Sequence, residues 1–272
     1  MKVVLFCGGF GMRLKENSES IPKPMVKIGY RPILWQIMRY YAHYGHKDFI
    51  LCLGYKADEI KKYFMNYDET VSNNFIMTEG GKKVILLKSD IHDWGITFID
   101  TGLRSNVGQR LVAIKKYLKD DEVFLANYTD GLSDLPLPKM IDFFKKHNKI
   151  ACFIGVKPNQ SFHLAQVKKR GVVKNFSYIQ NVGMSMNGGY FIFKNQIFDF
   201  IRKGEDLLEE PFKRLIAKDQ LITYKYDGFW TCMDTFKEKQ LLEDMYTRGK
   251  TPWEVWKNSK NENDQIRYTE KE

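Results

Sequence analysis

Val3-Val4-Leu5-Phe6-Cys7-Gly8-Gly9-Phe10-Gly11-Met12-Arg13-Leu14, followed by Ile21-Pro22-Lys23-Pro24-Met25, is the stretch on which the fold turns. Residues 3–7 are a short apolar run that ends in glycines, as a strand buried on both faces does. Three glycines just beyond it let the backbone approach a ligand and aim N–H groups at phosphate. Arg13 adds a planar cation. Lys23 adds a point charge on a loop stiffened by a proline on either side. Two other phosphate loops are excluded. Counting from Gly9, Leu14 stands where G-x-G-x-x-G needs its third glycine, and no G-x-x-x-x-G-K-S/T occurs. The plain alternative is a glycine turn with two surface cations.

Working outward, residues 31–45 read as a helix. Ile33, Leu34, Ile37, Met38 and Tyr41 recur at helical spacing, and Gly45 stops the run. Residues 49–53, 96–99 and 123–126 read as strands. Residues 57–67 and 107–118 read as helices, the second with Leu111, Ile114 and Leu118 on one face. Such alternation predicts an α/β fold: a Rossmann-like, mostly parallel mixed sheet with helices on both faces. Ligands of such sheets bind beyond the carboxyl ends of the strands. Residues 8–13, Thr101-Gly102 and Asp130 all fall at such ends. After about residue 150, short strands at 150–156, 171–176, 189–193 and 221–226 predict a smaller lobe with more antiparallel pairing. Residues 238–248 predict a helix.

The chain has 272 residues, with 43 Lys and Arg against 33 Asp and Glu, a formal charge of +10. That balance suits an anionic partner but equally a solvated basic surface. No basic-aromatic motif of a nucleic-acid-binding module occurs, so no nucleic acid is expected. No apolar run reaches the length of a membrane span, and the N-terminus reads as a first strand and not a signal peptide. Cys7, Cys52, Cys152 and Cys232 never form C-x-x-C, which favours reduced, buried thiols and a cytoplasmic protein. Trp35, Tyr40, Tyr41 and Tyr44 crowd one helix and serve either a subunit interface or the core.

The motifs G-G-x-G-x-R-L at Gly8–Leu14 and P-K-P-M at Pro22–Met25 resemble those of the sugar-1-phosphate nucleotidyltransferases, in particular the glucose-1-phosphate cytidylyltransferase branch. The likeness continues through Pro32-Ile33-Leu34-Trp35, Lys47-Asp48-Phe49-Ile50, Asp100-Thr101-Gly102, Gly108-x-Arg110-Leu111 and Tyr128-Thr129-Asp130-Gly131. It resumes at Asn187-Gly188-Gly189-Tyr190-Phe191, Glu210-Pro211, Gly228-Phe229-Trp230, Met233-Asp234-Thr235 and Pro252-Trp253. It implies the nucleotide-diphospho-sugar transferase fold with a smaller acceptor-binding lobe. The expected organisation is one domain over 1–257, its nucleotide-binding half at 1–150 and its acceptor-binding half at 151–257, then a polar tail at 258–272.

The resemblance implies roles residue by residue. Asp130 and Asp234 resemble the pair that holds Mg2+, an ion that favours carboxylate and phosphate oxygens. Arg13 and Lys23 resemble the catalytic cations on the phosphates. Gly8, Gly9, Gly11 and Met12 belong to the nucleotide loop, where the family usually has Thr at the position of Met12. Thr101 and Arg110 lie in the segment near the base, which favours CTP. Tyr128, Gly131, Asn187, Gly188 and Glu210 are implied at the acceptor; for Asn187 and Gly188 a β-bulge is the alternative.

The implied reaction transfers CMP from CTP to a sugar 1-phosphate for surface polysaccharide synthesis, in a homo-oligomer. Other nucleotides and a catalytically silent nucleotide-sensing subunit are the competing expectations. The family's Phe-x-Glu-Lys-Pro segment has no counterpart, since residues 176–181 read Phe-Ser-Tyr-Ile-Gln-Asn. This predicts an acceptor other than glucose 1-phosphate, with Lys168, Lys169, Arg170 or His163 as substitute cations or as a plain basic turn.

Overall fold

The computed structural model describes residues 1–9, 21–158, 163–179 and 182–257. Gly11, Met12, Arg13 and the tail at 258–272 lie outside them. Seven strands form one sheet: β1 (Val3–Phe6), β2 (Asp48–Leu53), β3 (Gly95–Asp100), β4 (Val123–Tyr128), β5 (Ala151–Val156), β6 (Met186–Lys194) and β7 (Leu221–Tyr226). Their order is β7-β5-β6-β4-β1-β2-β3. All pair in parallel except β6, which runs antiparallel to both β4 and β5.

Side-chain alternation explains why β1 is apolar at every position. Val3, Leu5 and Cys7 face one core, and Val4 and Phe6 the other. The first core is closed by α1 (Ile33–His43), α2 (Ala57–Met65) and α4 (Leu137–His147), the second by α3 (Val107–Ile114) and α5 (Glu210–Ala217). A last helix, α6 (Phe236–Thr247), begins in a capping box between Thr235 and Glu238, which satisfies amide donors that a helix start leaves open. Each fully buried aliphatic side chain adds about 1.5–3 kcal/mol, so these two layers set the strand order.

Two expectations are revised, and two helices are added. Among the described residues, three strands after residue 150 extend the main sheet, while His163–Val167 pairs with Val173–Tyr178 and Trp230–Cys232 with Gly131–Ser133 in separate two-stranded ribbons. Trp35, Tyr40 and Tyr41 are no more than 2% exposed, so they serve the core and not a subunit interface. Tyr40 is held by edge-on contacts with Tyr41, Tyr44 and Tyr190. Helices α4 and α5 carry no expectation in the sequence reading; Pro138 and Pro211 lie in their first turns. Proline is tolerated in a first helical turn, whose N–H groups lack partners anyway.

Candidate active site

The carboxyl end of β1 opens into Gly8 and Gly9, the floor of a cleft of about 500 Å3. Arg110, from α3, ties this floor to its neighbours. One terminal nitrogen donates to the Leu53 carbonyl at 3.0 Å and the Thr101 hydroxyl at 2.7 Å; the other donates to the Gly8 carbonyl at 2.9 Å. A Cβ on Gly8 would lie 2.0 Å from the guanidinium, so only glycine fits. The Thr101 hydroxyl is itself committed to Leu53 at 2.8 Å. Thr101 therefore does not line the cleft; it acts through Arg110, which is 4% exposed. Burial lowers the Arg110 pKa. Arg110, which the resemblance puts in the segment near the base, is thus a buried strut across the ends of β1, β2 and β3.

Lys23 sits in a short turn, Lys23–Met25, between Pro22 and Pro24. Pro24 and Met25 are buried, which anchors the turn and points the ammonium inward. Its Nζ lies 2.7 Å from Asp130 and 2.5 Å from Asp234. Burial works against the charge, but the two carboxylates outweigh it and raise the Lys23 pKa.

Asp130 and Asp234 are far apart in sequence, and a two-stranded ribbon brings them together. Gly131–Ser133 pairs antiparallel with Trp230–Cys232, with Gly131 opposite Cys232. The Met233 amide then donates to the Asp130 carbonyl at 2.8 Å. The Asp234 amide donates to Glu238 at 2.8 Å, which fixes Asp234 at the start of α6. Thr129 anchors the other turn by donating to the Phe6 carbonyl at 2.9 Å.

These residues can hold a divalent cation. Two hard carboxylate oxygens already converge on a single positive centre, and their side chains stay 31% and 36% exposed toward the cleft. Among the described residues no group of three or more His, Cys, Asp or Glu is set to bind a metal. A two-carboxylate donor set completed by substrate phosphate suits magnesium.

The acceptor-side residues are placed differently. Tyr128 packs on Phe6 and Phe191 and lines the cleft. Asn187, Gly188 and Gly189 form an irregularity between β5 and β6, the bulge that the sequence allowed. The Asn187 side chain accepts from the Gly189 amide at 2.9 Å, and the Gly188 carbonyl accepts from the Trp230 indole at 2.8 Å. Gly189 has φ +80°, and a Cβ there would meet Tyr128 at 2.8 Å. Gly131 is buried in the ribbon below the indole. Asn187, Gly188 and Gly131 are absent from the cleft lining. Glu210 is an exposed residue that pairs with Lys213 at 2.7 Å. Ser105, Asn106, Val107 and Asp206 also line the cleft. The sequence alone assigns them no site role: Ser105 and Asp206 lie in loops, and Asn106 and Val107 only begin α3.

Residues 2–246 match the Nucleotidyl transferase family. The glucose-1-phosphate cytidylyltransferases of Salmonella typhimurium and Salmonella typhi are each 39% identical over 259 residues, covering 94% of this chain and 100% of theirs. A UDP-glucose pyrophosphorylase solved with UDP-glucose superposes with a TM-score of 0.66 at 14% identity, over 91% of this chain and 98% of that one. It shares the mixed sheet. No helix among the described residues is long and apolar enough to cross a membrane. With near-complete alignment to such relatives, on a sheet whose strand ends gather Lys23 and two carboxylates, this chain belongs to the nucleotidyl transferase family.

Proposed function

We propose that this enzyme transfers CMP from CTP to a sugar 1-phosphate, glucose 1-phosphate by analogy with its Salmonella relatives, and releases pyrophosphate. The observation that carries the reading is the convergence of Lys23, Asp130 and Asp234 in the cleft floored by Gly8 and Gly9. The base and the acceptor rest on relatives aligned over 94% of the chain. That alignment weighs against the acceptor other than glucose 1-phosphate expected from residues 176–181. It weighs equally against another nucleotide and against a silent regulatory subunit. The product suits surface polysaccharide synthesis.

The acceptor phosphate is already ionised near neutral pH, so no side chain need activate it. One of its oxygens attacks the α-phosphorus of CTP in line. The α-to-β bridging bond breaks, and its electron pair leaves with pyrophosphate. Catalysis then consists of alignment and of neutralising crowded negative charge. Asp130 and Asp234 would hold Mg2+, which supplies Lewis-acid stabilisation of the phosphoryl oxygens. Gly8, Gly9 and Gly11 would lie along the nucleotide phosphates with Met12. Arg13 would face the leaving pyrophosphate. Lys23, which lies beside both carboxylates, would steady the attacking phosphate. Arg110 and Thr101 shape the base side by holding the Gly8 peptide. Tyr128, Gly131, Asn187, Gly188 and Glu210 belong to the acceptor half at 151–257 or its border with the half at 1–150.

We also read the chain as a cytoplasmic homo-oligomer. The exposed apolar side chains Val167, Val172, Val173 and Phe176 on the hairpin support association, and light scattering would measure it.

The deciding experiment is a matrix of pyrophosphate release, four nucleoside triphosphates against a panel of sugar 1-phosphates, with Mg2+. Release is expected in the CTP column with glucose 1-phosphate, and chelation of the metal should abolish it. Release confined to another nucleotide column would remove the base assignment.

A further inference from the structure

Asp206 is an oddity in a cleft that has to receive a triphosphate. Its carboxylate lines the same space as Gly8, Lys23 and Asp130. Unlike Asp130 and Asp234, it makes no ion pair among the described residues. Among the described residues its carboxylate accepts one hydrogen bond, from the Leu208 amide to Oδ1 at 3.1 Å, and none at the other oxygen.

The loop that carries it is held firmly. The Arg202 amide donates to Glu205 at 2.9 Å, and Arg214 pairs with the same carboxylate. The Asn106 side chain donates to the Gly204 carbonyl at 3.1 Å. A Cβ on Gly108 would lie 2.3 Å from the Glu205 carbonyl oxygen, so the loop is seated directly on the start of α3. Asp206 is thereby delivered to the cleft that Asn106 and Arg110 also line. The Tyr128 phenol is pushed up by burial first and then by the nearby charges of Asp206 and Asp130, which puts Asp206 toward the same interior.

An unpaired carboxylate repels phosphate and accepts hydrogen bonds only. The parts of CTP that donate are the 4-amino group and the ribose hydroxyls. Building on the reading of the site given above, we propose that Asp206 is a nucleoside-selecting acceptor that binds these donors and orients the triphosphate toward Lys23. UTP carries a carbonyl oxygen where CTP carries the amine, and a carboxylate rejects it.

The test is nucleotide binding by calorimetry with Mg2+ and no sugar phosphate, using CTP, UTP, 2′-deoxy-CTP and 3′-deoxy-CTP. Asp206→Ala should weaken CTP binding by about ten- to a hundredfold, as loss of a charged hydrogen bond does. If the amine is the donor, preference for CTP over UTP collapses while both deoxy preferences persist. If a ribose hydroxyl is the donor, the matching deoxy preference collapses instead. Unchanged affinities, or an equal loss for all four nucleotides, overturn the proposal. Asp206→Asn keeps the shape and an acceptor, and should show the same collapse in weaker form even if the alanine variant does not fold. Wild-type pyrophosphate release, measured separately, tests the reaction itself and does not decide this binding result.

Discussion

Around Gly8, one guanidinium with 4% exposure meets three oxygens from three strand ends. On the hairpin at 163–178, Lys168, Lys169 and Arg170 stand exposed and make no ion pair among the described residues. His163 is stacked on Phe176, with ring centroids 5.1 Å apart. Both regions are basic, but only the first has its charge fixed by buried partners. The contrast teaches that positive charge becomes chemistry where burial and hydrogen bonds hold it in one direction. The exposed cations keep their freedom and their water, and such charges contribute little.

The strongest way to break this contrast is at the carboxylates. Asp130→Ala and Asp234→Ala should each reduce turnover by more than about a thousandfold, with the circular dichroism spectrum unchanged. Near-normal turnover in either would refute the metal assignment. Next in size, Lys23→Ala should lower kcat by about 10²–10³-fold, the loss expected for one preorganised charge stabiliser; stopped assays of pyrophosphate release measure it.

Arg110→Ala strips a charged donor from three oxygens and should cost about 3 kcal/mol. For a chain of this size that lowers Tm by about 6–12 °C in a thermal melt. Gly8→Ala should destabilise by a similar amount, because its methyl would displace the guanidinium. The double variant sharpens the point. Its loss should fall well short of the sum of the two singles, because removing Arg110 makes room for the methyl. Full additivity would mean that the two residues do not oppose each other.

The smallest effect belongs to the hairpin. Replacing Lys168, Lys169 and Arg170 together by alanine should leave the KM for CTP within about twofold of wild type. A large rise in the KM for the sugar phosphate would instead restore these residues as the acceptor's cations.

The same contrast explains how much was legible in the sequence. The central strands were readable because a strand buried on both faces must be apolar throughout. Lys23 and Asp130 were readable because prolines and a glycine fix their turns. Asp234 had a motif but no visible partner, since only the ribbon between 131–133 and 230–232 brings it near. Arg110 was visible as a charge on a helix, yet its burial depends on carbonyls from three strands, and no local pattern encodes that. Asp206 carried no signal at all, because its place depends on how a loop rests on α3. Helix α4 went unread although Met140, Ile141 and Phe144 recur at helical spacing and are buried.

Cys7 and Cys52 have a practical consequence. Both are fully buried beside the cleft floor, and burial pushes their thiols well above the usual range, Cys52 to about 12. A thiol that stays protonated reacts slowly with alkylating reagents. Labelling at these two positions should therefore proceed only when the middle of the sheet comes apart, so that its rate becomes a clock for global opening, with ligand-induced slowing as a direct gauge of how tightly each substrate clasps the molecule.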